Sequence, residues 1–220
     1  MIQKRKVIIG EYDTAAYGWT LNACNLSDPE QKTNYVEKSG GDGSWDLSTV
    51  MTEGIPKYKT RTLTVRLENS GGTRADRETL INQMVNLLDG LTWKVVLPDR
   101  SDYYVTARLH VWVEHNTPAH AAVVVTGVCE PWLYKEQETI VKGTATTATQ
   151  SLTLQNNGRR AVVPQIETTG DIQLTYGTTI INLSAGVYEW PELLLTPGDH
   201  VLEYSGSGVL TIRYREAVLR

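Results

Sequence analysis

Residues 73–113 read TRADRETLINQMVNLLDGLTWKVVLPDRSDYYVTARLHVWV, and this stretch decides the fold. Leu80, Ile81, Met84, Val85, Leu87 and Leu88 recur at three- and four-residue spacing, the pattern of one apolar helix face. Thr73 and Asp76 are both candidate N-caps, and Asp76 and Glu78 sit where the positive end of the helix dipole favours acids. Gly90 supplies the positive φ that closes a helix. Residues 91–97 then read as an apolar strand, 98–102 (Pro98-Asp99-Arg100-Ser101-Asp102) as a turn, and 103–114 as a returning strand. No second convincing helix is predicted. A lone amphipathic helix among strands must lie across a sheet, which makes the first half of the chain α+β with one helix on a β-sheet or barrel.

Working outward, residues 58–68 alternate as a strand, with Leu63, Val65 and Leu67 on one side and Thr64, Arg66 and Glu68 on the other. Residues 108–115 alternate too: Leu109, Val111 and Val113 against Arg108, His110, Trp112 and Glu114. Residues 121–128 are almost continuously apolar, as a central strand should be. Residues 7–22 read as one or two strands carrying Tyr12, Tyr17 and Trp19. Between them lies a polar, turn-rich segment at 25–50. It holds a short strand candidate at 33–37 and a hairpin-turn signal at Gly40-Gly41-Asp42-Gly43-Ser44. With so little apolar content it reads as a loop, or as an arm that finds its partner on another molecule.

The domain boundary is expected near Lys135, giving domains at 1–134 and 135–220. The second is all β. Turn signals at 156–158, 169–171, 176–177, 184–186, 197–199 and 205–208 are spaced as in a sandwich. Ile172/Leu174/Tyr176, Leu202/Tyr204 and Leu210/Ile212/Tyr214 alternate with polar partners and should form its core. The Thr- and Ala-rich stretch at 136–151, with a first strand at 139–141, reads as a hinge.

Composition narrows the function. The chain has 220 residues, 40% hydrophobic and 21% charged, which permits packed cores. A formal net charge of -4 argues against a sequence-independent grip on nucleic acid, though not against a surface past which DNA slides. No apolar run has membrane-spanning length, and after the basic opening Val7-Ile8-Ile9 is too short for a signal peptide, so synthesis and folding in a cytoplasm are expected. Cys24 and Cys129 read as free thiols. Phe is absent beside 11 Tyr and 6 Trp, a weak pointer to interfaces.

No nucleophile-elbow, zincin, P-loop or dinucleotide motif is present, and no catalytic, cofactor or metal residues are assigned. His110, His115, His120 and His200 read as structural, with His110 and His115 able to meet near a strand end. Asp42 and Asp46 flank Gly43-Ser44-Trp45, but the later calcium ligands do not follow. Lys57, Lys59, Arg61 and Arg66 form a solvated strand face or one face of a subunit contact. The subunit-interface candidates are Lys32, Tyr35, Asp42, Trp45, Lys59 and Arg61.

Several ordered motifs carry a resemblance. Pro29-Glu30-Gln31-Lys32-Thr33-Asn34-Tyr35-Val36, Gly41-Asp42-Gly43-Ser44-Trp45-Asp46-Leu47-Ser48 and Tyr58-Lys59-Thr60-Arg61 precede the helix ending Leu88-Asp89-Gly90. Tyr103-Tyr104, Cys129-Glu130-Pro131-Trp132, Val163-Pro164-Gln165-Ile166 and Tyr214-Arg215-Glu216 follow. In this order they resemble the distal tail proteins of long-tailed, non-contractile (siphovirus-type) phages, over essentially the whole chain. Glu216-Ala217 departs from the Gly expected after the acidic residue. The resemblance implies a non-enzymatic virion protein of the tail tip, assembled in the bacterial host cytoplasm. It implies a homohexameric ring whose lumen passes tape measure protein and DNA without specific binding, with no membrane partner. The N-terminal domain would join the tail tube protein, and a galectin-like C-terminal sandwich would face tail-associated or receptor-binding proteins. The competing reading is a carbohydrate-binding sandwich with Tyr188 and Trp190 as its platform. It is disfavoured because Trp190, before Pro191 and near Leu193-Leu194-Leu195, reads as a plug over the sandwich end.

Overall fold

In the computed structural model the predicted helix forms as α1 (Arg74–Leu88). Thr73 is its N-cap and Asp76 occupies the third helical position, so the two candidates divide one capping box. The Asp76 N–H donates to the Thr73 hydroxyl at 3.2 Å, and the Asp76 carboxylate accepts from the Thr73 N–H at 2.8 Å. The Thr73 N–H and hydroxyl, both donating to that carboxylate, hold the Asp76 carboxyl below its ordinary pKa. Asp89 caps the other end, and Gly90 follows at φ 73°. The buried stripe is Arg77, Ile81, Met84 and Leu88. Leu87, expected on that stripe, is exposed, because it sits about 100° around the helix from Leu88 and the sheet covers only a narrow arc.

Arg77 is the member that hydrophobic periodicity could not flag. Its guanidinium donates to the carbonyls of Gly71 (3.1 Å), Gly72 (2.9 Å), Thr117 (2.7 Å) and Pro118 (2.9 Å). A planar cation with several fixed donors thus ties the loop before α1 to the turn at 117–118.

The structure describes residues 6–52 and 54–220; the basic opening at 1–5 lies outside the described residues. The chain divides into two compact units, Met1–Leu133 with Arg220, and Tyr134–Leu219. Unit 1 contains β1 (Ile8–Ile9), β2 (Tyr12–Asp13), β3 (Thr20–Leu26), β4 (Tyr35–Glu37), β5 (Ser44–Asp46), a 3-10 turn (Val50–Thr52), β6 (Arg61–Asn69), α1, β7 (Thr92–Val96), β8 (Tyr103–Asn116) and β9 (Ala121–Cys129). Its main sheet runs β2-β1-β7-β8-β9-β6-β3. β9 is central, with Val125 opposite Val65 of β6 and Val111 of β8. Leu63, Val65, Leu67, Leu109, Val111 and Val125 are buried on the face that α1 covers. Val113 was expected to join them and is exposed instead. Val113 stays in register opposite Val123, and the β8–β9 ladder slips by one residue just beyond it, between Val113 and His115, so Val113 stands where the regular pairing ends.

The N-terminal aromatics serve the core more than a strand surface. Trp19 and Tyr12 are buried, and the Trp19 Nε1–H donates to the Tyr12 hydroxyl at 3.1 Å. Burial pushes the Tyr12 phenol up to about 12. Tyr17 stacks on Tyr12 with ring centroids 4.2 Å apart.

After β10 (Leu133–Lys135), unit 2 contains β11 (Thr139–Ala145), β12 (Gln150–Asn156), β13 (Gln165–Thr168), β14 (Ile172–Tyr176), β15 (Thr179–Leu183), β16 (Gly186–Glu189), β17 (Gly198–Gly206), β18 (Gly208–Tyr214) and β19 (Ala217–Val218). Two sheets, β11-β18-β13-β16 and β12-β17-β14-β15, enclose a core that includes Ile166, Leu174, Trp190, Leu202, Leu210 and Ile212. The stretch read as a hinge forms a strand: β11 pairs with β18 from Thr139↔Tyr214 to Ala145↔Gly208. Gly143 is required there, since a Cβ would lie 2.4 Å from the Tyr204 hydroxyl. Glu216 is buried and accepts from Lys135 at 3.3 Å and from Thr139 at 3.3 Å.

Replacing Arg77 by Ala should lower the stability of the whole protein by about 2–4 kcal/mol, since four carbonyls lose a charged donor and a cavity opens. Arg77→Lys should recover only part of it. Urea midpoints followed by tryptophan fluorescence measure this; two variants melting with wild type would show that Arg77 is not the tie.

The second prediction is that a fragment spanning 134–219 unfolds cooperatively on its own, because its two sheets bury a separate core. Calorimetry of the fragment decides, and a featureless scan would mean the sandwich needs the rest of the chain.

Candidate assembly surface

Between β3 and β6 the chain leaves the sheet as a two-stranded excursion. At its root the Ser27 N–H donates to the Thr62 carbonyl, and the Thr62 N–H to the Ser27 hydroxyl, both at 2.9 Å. Further out the Lys32 N–H donates to the Lys57 carbonyl and the Lys59 N–H to the Glu30 carbonyl, each at 2.8 Å, around a Gln31↔Tyr58 bridge. The Lys59 ammonium also pairs with the Glu30 carboxylate. Beyond the stem, β4 and β5 form a hairpin with Val36 opposite Trp45. Gly40 (φ 73°) and Gly43 (φ 77°) make its turn, and Leu47 N–H donates back to the Asn34 carbonyl. The paired excursion therefore covers 27–60, starting later and ending later than the segment expected at 25–50. Asn25 and Leu26 belong to β3, opposite Thr64 and Leu63.

The excursion buries almost nothing of its own. Tyr35 (61%), Val36, Trp45, Leu47, Val50 and Met51 (92%) are all exposed. An isolated two-stranded hairpin is marginal in water, and contiguous exposed apolar side chains mark interaction sites. Met51 and Ile55 are exposed beyond the segment expected at 25–50, and the apolar residues just before the strand at 58 carry the signal for the longer extent.

Lys32, Tyr35, Asp42, Trp45 and Lys59 are exposed along this excursion. Trp45 already carries a cation, with the Lys38 Nζ 4.9 Å from its ring centroid. Arg61 differs from the expectation of an interface side chain. It is 5% exposed, and its Nε–H donates to the Ser27 carbonyl at 2.6 Å, so it anchors the root of the excursion inside its own unit. Desolvation there lowers the guanidinium pKa. Lys57 is exposed, whereas Arg66 is paired with Glu114 at 3.0 Å.

The opposite face of the main sheet, which α1 leaves open, carries a groove of about 410 Å³ lined by Thr62, Arg108, His110, Thr126 and Val128. The His110 Nδ1 lies 2.8 Å from Asp89 Oδ1, which also accepts from the Val111 N–H at 2.8 Å. These contacts hold the Asp89 carboxyl below its usual range. His115 meets His120, not His110, with ring centroids 4.6 Å apart. His200 lies between the Tyr176 hydroxyl at Nδ1 (2.7 Å) and the Thr196 carbonyl at Nε2 (2.7 Å). Since a carbonyl only accepts, Nε2 carries the proton and the Tyr176 hydroxyl donates to Nδ1. Among the described residues no cluster of His, Cys, Asp and Glu is arranged to hold a metal ion, and no helix is long and apolar enough to cross a membrane. Cys24 and Cys129 are free, and burial pushes both thiols up to about 11.

In unit 2 the two platform candidates do not form a platform. Trp190 is 5% exposed within the core. Tyr188 is half-buried against that core, and its hydroxyl donates to the Ser184 carbonyl at 3.0 Å. The polar side chains nearest them in sequence do not converge: Glu189 stands in β16 and Asn182 in β15, in opposite sheets.

This architecture recurs over nearly the full length of a known protein. A crystal structure of SPP1 Dit (gp 19.1), described as a paradigm of the hub adsorption apparatus in phages infecting Gram-positive bacteria, matches with a TM-score of 0.70. The match covers 96% of this chain and 98% of that one. The fold is shared with SPP1 Dit. Identity to SPP1 Dit is 15%, so the agreement lies in the arrangement of strands and helix and not in matched side chains. No protein-family model and no curated protein matches the chain.

Trp190→Ala should cost about 3–5 kcal/mol by opening a large core cavity, while Tyr188→Ala should cost less, since its ring is only half-buried. Thermal melting of both variants tests this. If Trp190→Ala melts with wild type but abolishes binding on a glycan array, the platform reading replaces the plug.

Proposed function

We propose that this chain is a structural subunit of a phage tail tip, a distal tail protein acting as hub between the tail tube and the adsorption apparatus. The observation that carries the reading is an architecture shared with SPP1 Dit along nearly the whole length of both chains, at a TM-score of 0.70. The side chains are consistent with it: the exposed features are edges and an arm, and among the described residues no His, Cys, Asp and Glu are grouped to hold a metal ion.

In this reading unit 1 assembles head to tail into a ring of six, a heterologous contact that closes. The arm at 27–60 lies on the neighbouring subunit, which supplies the burial its own unit does not. The lumen passes tape measure protein and DNA without base recognition, consistent with a net charge of -4. Unit 2, with galectin-like shape but no exposed aromatic platform at Trp190, faces the tail-associated or receptor-binding proteins.

Light scattering across a concentration series, with negative-stain micrographs of the same samples, tests the ring. A closed particle of six subunits with an open centre is expected. Replacing residues 35–46 by a short Gly-Ser turn should leave a folded chain that stays monomeric. A strict monomer at every concentration, or a two-fold dimer as the sole oligomer, overturns the proposal.

A further inference from the structure

The hairpin formed by β4 and β5 has two unlike faces. Register places Val36 beside Trp45 on one, and there Lys38 already stacks on the Trp45 ring. The other face carries Tyr35, Glu37, Ser44 and Asp46. Tyr35 is exposed, and among the described residues neither Glu37 nor Asp46 has an ion pair. Asp46 is engaged locally by Ser48, whose N–H donates to it at 2.9 Å and whose hydroxyl also bonds it. Counting 35–47, three carboxylates (Glu37, Asp42, Asp46) stand against the single cation Lys38.

The α1-free face of the main sheet has the opposite character. Val128 is 62% exposed in the middle of the sheet, an unusual place for an aliphatic side chain with no cover, and Trp112 is exposed on the same face. Around Val128 stand Arg108, whose guanidinium donates only to the Gly90 carbonyl at 2.9 Å, and His110. Lys94 lies one strand over, 4.7 Å from the Tyr104 ring centroid. Neither Arg108 nor Lys94 has an ion pair among the described residues. The carboxylate lining the groove, Asp89, is occupied by His110 and the Val111 N–H.

We infer that the groove around Val128 is the receptor for the β4–β5 hairpin of a second copy of this chain, with Tyr35 seated against Val128 and Glu37 and Asp46 facing Arg108 and Lys94. The inference rests on the ring reading above and names the two surfaces that meet in it. Three features select this occupant. The groove is apolar at its centre and cationic at its rim, and the hairpin face is aromatic at its centre and anionic at its rim. The hairpin stands at the end of a paired stem and can reach beyond its own sheet. One copy presents both surfaces once each, which is the requirement for a head-to-tail contact that repeats.

Charge exchange in the full chain tests the pairing. Arg108→Glu and Glu37→Arg should each weaken association by roughly tenfold or more, read as the concentration at which light scattering reports half-assembly. The double variant R108E/E37R should recover most of that loss. Val128→Glu, at an exposed position, should weaken association similarly, and melting curves confirm that each variant is folded. Wild type that assembles, with all single variants assembling equally well, overturns this inference and leaves the ring reading standing. Weakened single variants without recovery in the double overturn the pairing of Glu37 with Arg108. Wild type that stays monomeric overturns both readings together.

Discussion

Unit 1 depends on one strand being covered on both edges and on its inner face. β9 is paired along its whole length, to β6 on one side and β8 on the other. A run such as Ala121-Ala122-Val123-Val124-Val125 cannot sit at an edge without exposing both apolar side chains and open backbone donors. Placing it centrally brings Leu63, Val65 and Leu67 to one flank and Leu109 and Val111 to the other. That surface is what α1 covers with Ile81, Met84 and Leu88. Arg77 then fixes the entry to the helix by bonding carbonyls from two separate loops, a device that needs a cation's several donors in one plane.

The arm follows from the same sheet. β3 and β6 continue outward as a ladder after the core side chains end, so the backbone groups stay paired while the side chains lose their cover. Arg61 marks the transition: it is the last buried side chain of β6 toward the arm and closes the root on the Ser27 carbonyl. Beyond it the hairpin keeps hydrogen bonds but not burial. Tyr35, Trp45 and Met51 are left exposed along that ladder.

The same logic accounts for the quiet chemistry. Histidines are spent on local geometry: His110 on the acid that caps α1, His115 on His120, His200 between a hydroxyl and a carbonyl. The cysteines are free thiols whose burial disfavours the thiolate. In unit 2 the largest aromatic, Trp190, fills the core.

By itself the sequence determined the elements and the sheet core. The N-cap at Thr73, Gly90, the central strand, the hairpin turn at Gly40–Gly43 and the alternating sets of the sandwich were legible because each rests on neighbours within a few residues; that Asp76 is the third helical position and completes a capping box came with the structure. The Thr- and Ala-rich stretch, expected as a hinge with a short strand at 139–141, is a strand as far as Ala145 because β18 supplies seven residues of pairing. Tertiary structure alone decided the positions that depend on distant partners. Arg77 is buried because two loops offer it carbonyls, and Arg61, expected as an interface cation, closes on the Ser27 carbonyl instead. Val113, expected in the core, is exposed at the end of the regular β8–β9 pairing, where the ladder slips by one residue. The arm's sequence announced polarity and turns, but its true extent to residue 60, and the exposure of Val50 and Met51, came from where the ladder ends. Local periodicity encodes which residues share a face; which face is covered depends on long-range pairing, and no window of sequence contains that.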